Sequence, residues 1–113
     1  MNECLFCKII SGTIPAKIVF ENESIVAFED IEPQAPFHII IIPKKHIPSV
    51  IDISDDDLMI MGTMYQVASE IAREFSLTNG FRLVINYGKD AGQVIQHIHI
   101  HMLGKRELGW PPG

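Results

Sequence analysis

Short apolar runs broken by polar turns fill the first part of the chain. Residues 4–10 are mostly apolar and Gly12 follows as a C-terminal stop, which predicts a short helix. Residues 17–21 and 25–29 read as two strands flanking the polar turn Asn22-Glu23-Ser24, a hairpin. Pro33 and Pro36 bracket a loop. Residues 38–42 are apolar and β-branched after the opening histidine, as in a buried strand, and Pro43 ends them.

Ser54 opens the longest helix. Its hydroxyl can cap the first turn, and Asp57 three residues later makes a capping-box-like arrangement. Three successive aspartates there suit the positive end of the helix dipole. Leu58, Met61, Tyr65, Ala68, Ala72 and Phe75 recur at helical spacing and predict one apolar face as far as Phe75. Asn79-Gly80 stops the helix, residues 81–87 predict a strand, and Gly88 and Gly92 bound a loop. Residues 97–103 predict the last strand, before a stiff tail at 105–113. Antiparallel strands with one long and one short helix, the helices on one face, make an α+β domain spanning 1–113.

Composition narrows the function. At 47% hydrophobic the chain can build a core, which argues against disorder. The net charge is -5, and Lys44-Lys45 and Lys105-Arg106 are the longest basic runs, so no nucleic-acid partner is expected. The apolar runs are too short to span a membrane. The start of the sequence lacks a basic segment followed by a cleavable apolar stretch, and there are two cysteines; both features predict a cytoplasmic protein.

His97, His99 and His101 hold the candidate chemistry. Alternation on a strand puts them on one face, with Ile98, Ile100 and Met102 on the other. Same-face neighbours stand about 6.6 Å apart along a strand, and the outer pair about 13 Å. Zinc–nitrogen bonds are about 2.0–2.1 Å, so two neighbours could share a metal but three could not easily do so. A solvated histidine stripe is the plainer alternative. Three of five histidines on one face, beside a loop with two glycines, favour catalysis instead. A neutral imidazole attacks through one ring nitrogen while the other donates a hydrogen bond. A second imidazole can bind or protonate an anion, and glycines let backbone amides approach phosphate oxygens. The Cys4-x-x-Cys7 pair is open to two readings, buried core thiols or a metal pair; the surrounding pattern does not suit thioredoxin-type redox chemistry.

The run His97-Ile98-His99-Ile100-His101-Met102-Leu103 resembles the histidine-triad signature. Ala27-Phe28-Glu29-Asp30-Ile31, Pro33-Gln34-Ala35-Pro36, Ile42-Pro43-Lys44-Lys45-His46 and the closing Trp110-Pro111-Pro112-Gly113 are similar to the Hint branch of the histidine-triad (HIT) family. The resemblance implies an α+β HIT fold whose sheets join across a two-fold homodimer. It implies hydrolysis of purine nucleoside 5′-phosphoramidates to a nucleoside monophosphate and an amine, through a nucleotidyl-histidine intermediate on His99. His97 would orient His99 through its carbonyl. His101 and backbone amides of Gly92, Gln93 and Val94 would hold phosphate oxygens. Asp30 would bind the ribose hydroxyls, and Phe6, Ile9, Phe28 and Ile31 would enclose the base. His38 and Asn86 match positions near the site. The resemblance also implies structural zinc on Cys4, Cys7, His46 and His97, and a tail at 105–113 near the partner's active site. Many members of that branch carry serine where this chain has Val94, which implies slower turnover or an altered leaving-group preference. A dinucleoside polyphosphate hydrolase and a nucleotide-binding interaction protein are the alternative functions.

Overall fold

The computed structural model describes residues 3–113. Helix α1 (Leu5–Ile10) is followed by strands β1 (Ile18–Glu21), β2 (Ile25–Glu29) and β3 (Phe37–Pro43). Helix α2 (Leu58–Glu74) then leads to β4 (Phe81–Val84) and β5 (Ile100–Gly104). The strands form one antiparallel sheet in the order β1-β2-β3-β5-β4. The α+β architecture with one long and one short helix is as the pattern predicts.

The helices do not share a face, contrary to expectation. Ile25, Ala27, Ile39 and Ile41 pack with Met64, Val67, Ala68 and Ile71 of α2. Val26, Phe28, Ile40 and Ile42 pack with Phe6 and Ile9 of α1. β2 and β3 are apolar at both alternating sets of positions, and a strand apolar on both sides needs cover on both sides. The short helix therefore covers part of the second face and leaves the rest of it open.

The buried stripe of α2 overlaps the expected one, since Met61, Ala68, Ala72 and Phe75 pack on the core, and differs from it at the remaining positions. Met64, Val67, Ala68 and Ile71 are buried, whereas Leu58 and Tyr65 are more than half exposed. A 3₁₀ turn at Asp55–Asp57 precedes the helix, and Ser54 and Asp57 form the predicted capping box. Lys45 Nζ, 2.6 Å from the buried Asp57 carboxylate, ties this turn to the segment after β3.

Two strand boundaries differ from the sequence pattern. β4 ends at Val84 rather than residue 87, and β5 starts at Ile100 rather than residue 97. The Ile98 amide donates to the Ile47 carbonyl at 2.6 Å, so residues 97–99 leave the sheet and lie against the segment after β3. Among the described residues no helix is long and apolar enough to cross a membrane.

Candidate active site

The open part of the α1 face is a cleft of about 440 Å³, lined by Phe6, Ile9, Phe28, Asp30, Ile31, Asn86, Gly92, Val94, His99 and His101 among others. That volume lies within the range of small-molecule sites, about 300–1,000 Å³. Strand register explains the placement. His101 lies opposite Ile40 of β3 and Val84 of β4, and directly opposed residues share a face. Helix α1 then lays the Phe6 ring edge-on to His99, with centroids 5.0 Å apart, and against Phe28 at 5.5 Å.

Backbone partners set which ring nitrogen carries the proton in His99 and His38, and His38 in turn sets it in His101. His99 Nδ1 lies 2.7 Å from the His97 carbonyl, which can only accept. The proton is therefore on Nδ1, and the Nε2 lone pair is free. His38 Nδ1 lies 3.0 Å from the Gln34 amide, which can only donate, so the His38 proton is on Nε2. That N–H donates to His101 Nδ1 at 2.9 Å, with Asp30 Oδ2 at 3.3 Å from the same nitrogen. His101 accepts at Nδ1 and must carry its own proton on Nε2. The His99 and His101 rings stand 4.9 Å apart. One offers a lone pair and the other an N–H donor, and both line the cleft.

His97 has a different task. Its ring is fully buried, and Nε2 donates to the Pro43 carbonyl at 2.9 Å, so its lone pair is on Nδ1. That atom lies 3.3 Å from Cys4 Sγ, 3.6 Å from Cys7 Sγ and 3.2 Å from His46 Nδ1. Cys7 Sγ is 3.3 Å from His46 Nδ1. A tetrahedron with zinc–sulfur bonds of about 2.3 Å and zinc–nitrogen bonds of about 2.0–2.1 Å has edges of about 3.3–3.7 Å. The four separations of 3.2–3.6 Å lie close to those edges, and the four donor atoms could hold a metal ion. Burial raises the Cys4 thiol above its ordinary value, so a thiolate there needs a cation beside it. Asp30, His38 and His101 also converge closely enough for an ion. There the tautomer argues against one, because the Gln34 amide occupies Nδ1 of His38 and leaves a proton on the nitrogen that faces the cluster.

The glycine loop closes largely on itself. The Gly92 amide donates to the Lys89 carbonyl and the Gln93 amide to the Gly88 carbonyl. The Gln93 side chain accepts from the Gly88 amide and donates to the carbonyls of Pro48 and Ile95. Gln93 thus braces the loop from within, a role different from the phosphate contact expected of it. Both Gly88 and Gly92 have positive φ, +81° and +80°, where a side chain would be strained.

A model of the scavenger mRNA decapping enzyme C-terminal binding family matches residues 3–109. A HIT-like protein of Synechocystis is 42% identical over 111 residues, covering 98% of this chain and 97% of the relative. A HIT-like protein of Chlamydia pneumoniae is 47% identical over 105 residues, covering 93% and 96%. The chain belongs to the histidine-triad (HIT) family. Among solved structures, a HIT family hydrolase from Legionella pneumophila superposes with a TM-score of 0.96 at 49% identity, covering 98% of this chain and all of that one. A histidine triad nucleotide-binding protein from Candida albicans reaches 0.85 at 33% identity, covering 96% and 83%.

Within this HIT chain, sequence reasoning missed the Gln34 amide and the Pro43 carbonyl, because backbone atoms leave no residue signature. His38 lies behind the cleft rather than in its wall. Burial lowers His38, His97 and His99 below the ordinary imidazole value; burial and neighbouring imidazoles bring His101 to about 4. All four are neutral at pH 7. His101 takes up its proton near pH 6.5 in the unfolded chain and only near pH 4 in the folded one, and the other three are shifted in the same direction, so folding stability falls as pH drops through that window. Thermal melts from pH 7.5 to 4.5 are expected to show a declining melting temperature, and His101→Gln a shallower decline. A flat parent profile would contradict these shifts.

Proposed function

We propose that this HIT protein hydrolyses purine nucleoside 5′-phosphoramidates to the nucleoside monophosphate and the free amine. The observation that supports this most is the fixed pairing of a bare His99 Nε2 and a protonated His101 Nε2 on one cleft. Asp30 lines that cleft and suits ribose hydroxyls, while Phe6, Ile9, Phe28 and Ile31 supply apolar lining for the base. His99 Nε2 attacks the α-phosphorus, forming a nitrogen–phosphorus bond as the bond to the amine breaks. The His97 carbonyl, which accepts from Nδ1–H, stabilises the positive charge that develops on the ring. His101 Nε2–H gives its proton to the departing nitrogen or hydrogen-bonds a phosphate oxygen, and Val94, which lines the same cleft, keeps a backbone N–H to offer. Water then cleaves the nucleotidyl-His99 bond and restores the free imidazole.

Zinc on Cys4, Cys7, His46 and His97 would cross-link three chain segments and supply no reaction chemistry. The open edge of β4 and the exposed Leu58, Tyr65 and Phe81 support a homodimer. Trp110 is 83% exposed on a tail held by the Arg82 guanidinium, which donates to the Gly109 carbonyl at 2.8 Å; a partner's cleft is a natural place for such a ring.

The test is turnover of adenosine 5′-phosphoramidate beside diadenosine tetraphosphate. Faster release of AMP from the phosphoramidate is expected; preference for the tetraphosphate would favour the polyphosphate hydrolase reading. Binding of AMP with neither turned over would favour a nucleotide-binding interaction protein.

Two substitutions probe the details. Val94, 85% exposed at the cleft, has no hydroxyl to offer phosphate or leaving nitrogen. Val94→Ser is expected to raise kcat/KM for at least one phosphoramidate, and no gain on any would sink that role. His38→Ala removes the donor that sets the His101 tautomer. A drop in kcat of about 10–100-fold is expected, as for other outer-shell partners, with KM little changed. Unchanged kcat would show that His101 holds its proton without help.

A further inference from the structure

The cluster of Cys4, Cys7, His46 and His97 stands beside the catalytic residues, and its connections reach further than a structural staple requires. His97 is held at three points. Its Nδ1 faces the other three donor atoms, its Nε2–H donates to the Pro43 carbonyl, and its backbone carbonyl accepts from His99 Nδ1 at 2.7 Å. That last bond decides which nitrogen of His99 is nucleophilic. No sheet ladder holds this carbonyl, because β5 begins at Ile100.

The peptide between His97 and Ile98 is held instead by the Ile98 amide, which donates to the Ile47 carbonyl at 2.6 Å. Ile47 directly follows His46. Both halves of the clamp on this peptide, residue 97 and the segment at 46–47, therefore converge on the same four donor atoms. We infer that Cys4, Cys7 and His46 are positioning residues for the nucleophile, acting through the bound metal and His97 on the His97 carbonyl.

A second route from cluster to site exists and must be separated from this one. Cys4 and Cys7 flank Phe6, whose ring meets His97 at 5.8 Å and His99 at 5.0 Å and walls the base site. An effect through Phe6 and Ile9 would weaken nucleotide binding. An effect through the His97 carbonyl would release His99 to its other tautomer, which lowers kcat and spares binding. The cluster can be loaded and stripped in the folded protein, since His46 is exposed and a surface groove opens on Cys4 and His46.

The experiment compares the full-length protein loaded with zinc, stripped by chelator and reloaded, at a temperature where circular dichroism shows it folded. His46→Gln, which keeps three donors, serves as a second sample if the stripped protein unfolds. Two-bond proton–nitrogen NMR reads the His99 tautomer, and calorimetry reads AMP affinity. The loaded protein is expected to show His99 protonated on Nδ1 alone. Stripped or variant protein is expected to show a mixture, with kcat for adenosine 5′-phosphoramidate down about 10-fold or more and AMP Kd within about 3-fold, a split of the kind outer-shell changes produce.

An unchanged His99 signature in folded, metal-free protein overturns the inference. So does a loss of AMP affinity as large as the loss of kcat/KM, or protein that takes up no zinc. The kcat arm rests on the proposed phosphoramidase reading, whereas the tautomer arm does not. Loaded protein that fails to turn over the phosphoramidate refutes that reading alone, and the tautomer comparison still decides this one.

Discussion

His99→Ala is expected to lower kcat for adenosine 5′-phosphoramidate by at least about 10⁴-fold, as loss of a covalent nucleophile does elsewhere. AMP binding is expected to stay within a few fold, because the base wall and Asp30 remain. The size of the effect follows from chemistry that nothing else in the cleft can take over. His101 Nδ1 is occupied by His38 and its Nε2 carries a proton, so it has no lone pair to offer. His97 is fully buried with its free nitrogen turned to the cysteines. Rapid-quench detection of a phosphorus–histidine adduct in the parent, absent in the variant, checks the assignment directly. Residual turnover above about one-hundredth of the parent would mean that water attacks without a covalent step.

The second large effect concerns stability. Cys7→Ser, or chelation of the zinc-loaded protein, is expected to lower the melting temperature by about 8–16 °C, given about 4 °C for each kcal/mol in a domain slightly above 100 residues. The four donors connect α1, the segment after β3 and the residue that leads into β5. Cys7 and His46 lie 39 positions apart, and His46 and His97 lie 51 apart. Cross-links closing loops of that length stabilise by about 2–4 kcal/mol, chiefly by restricting the unfolded chain. Helix α1 has six residues and is too short to persist unaided, so its hold on the sheet depends on the buried Phe6 and Ile9 and on its cysteines. Elemental analysis of protein purified without chelator is expected to give one zinc per chain. Substoichiometric zinc, with an unchanged melt after chelation, would reject a structural metal.

Legibility differed between elements for identifiable reasons. The first hairpin, β3 and the capped start of the long helix were readable because alternation and capping act between near neighbours. The apolar stripe of α2 is only partly legible, because Leu58 and Tyr65 fit helical spacing as well as Met64 and Ile71 do. Only the position of the sheet selects between two overlapping stripes. The early end of β4 and late start of β5 were hidden because the competing bond, Ile98 to Ile47, comes from a segment distant in the chain. The apolar pattern of residues 97–103 does not register that competition.

The site divides in the same way. The triad motif and the C-x-x-C pair are legible as residue types at fixed spacing, whereas Asp30 and the apolar residues around Phe6 and Phe28 stand out only through the resemblance to the HIT family. By itself the sequence determined an α+β chain of the histidine-triad pattern, with imidazoles concentrated on one stretch, because periodicity and spacing are local properties. Tertiary structure alone decided that α1 and α2 cover opposite faces and that Gly92 and Gln93 spend their amides within the loop; the turn of His97 to the cysteines, away from the single face that strand alternation predicts, is implied by the family resemblance and by nothing in the spacing. Tertiary structure also decided the proton on each ring. An imidazole takes the tautomer its fixed backbone partner permits, and here those partners, Pro43 and Gln34 among them, reach their rings only after the chain has folded.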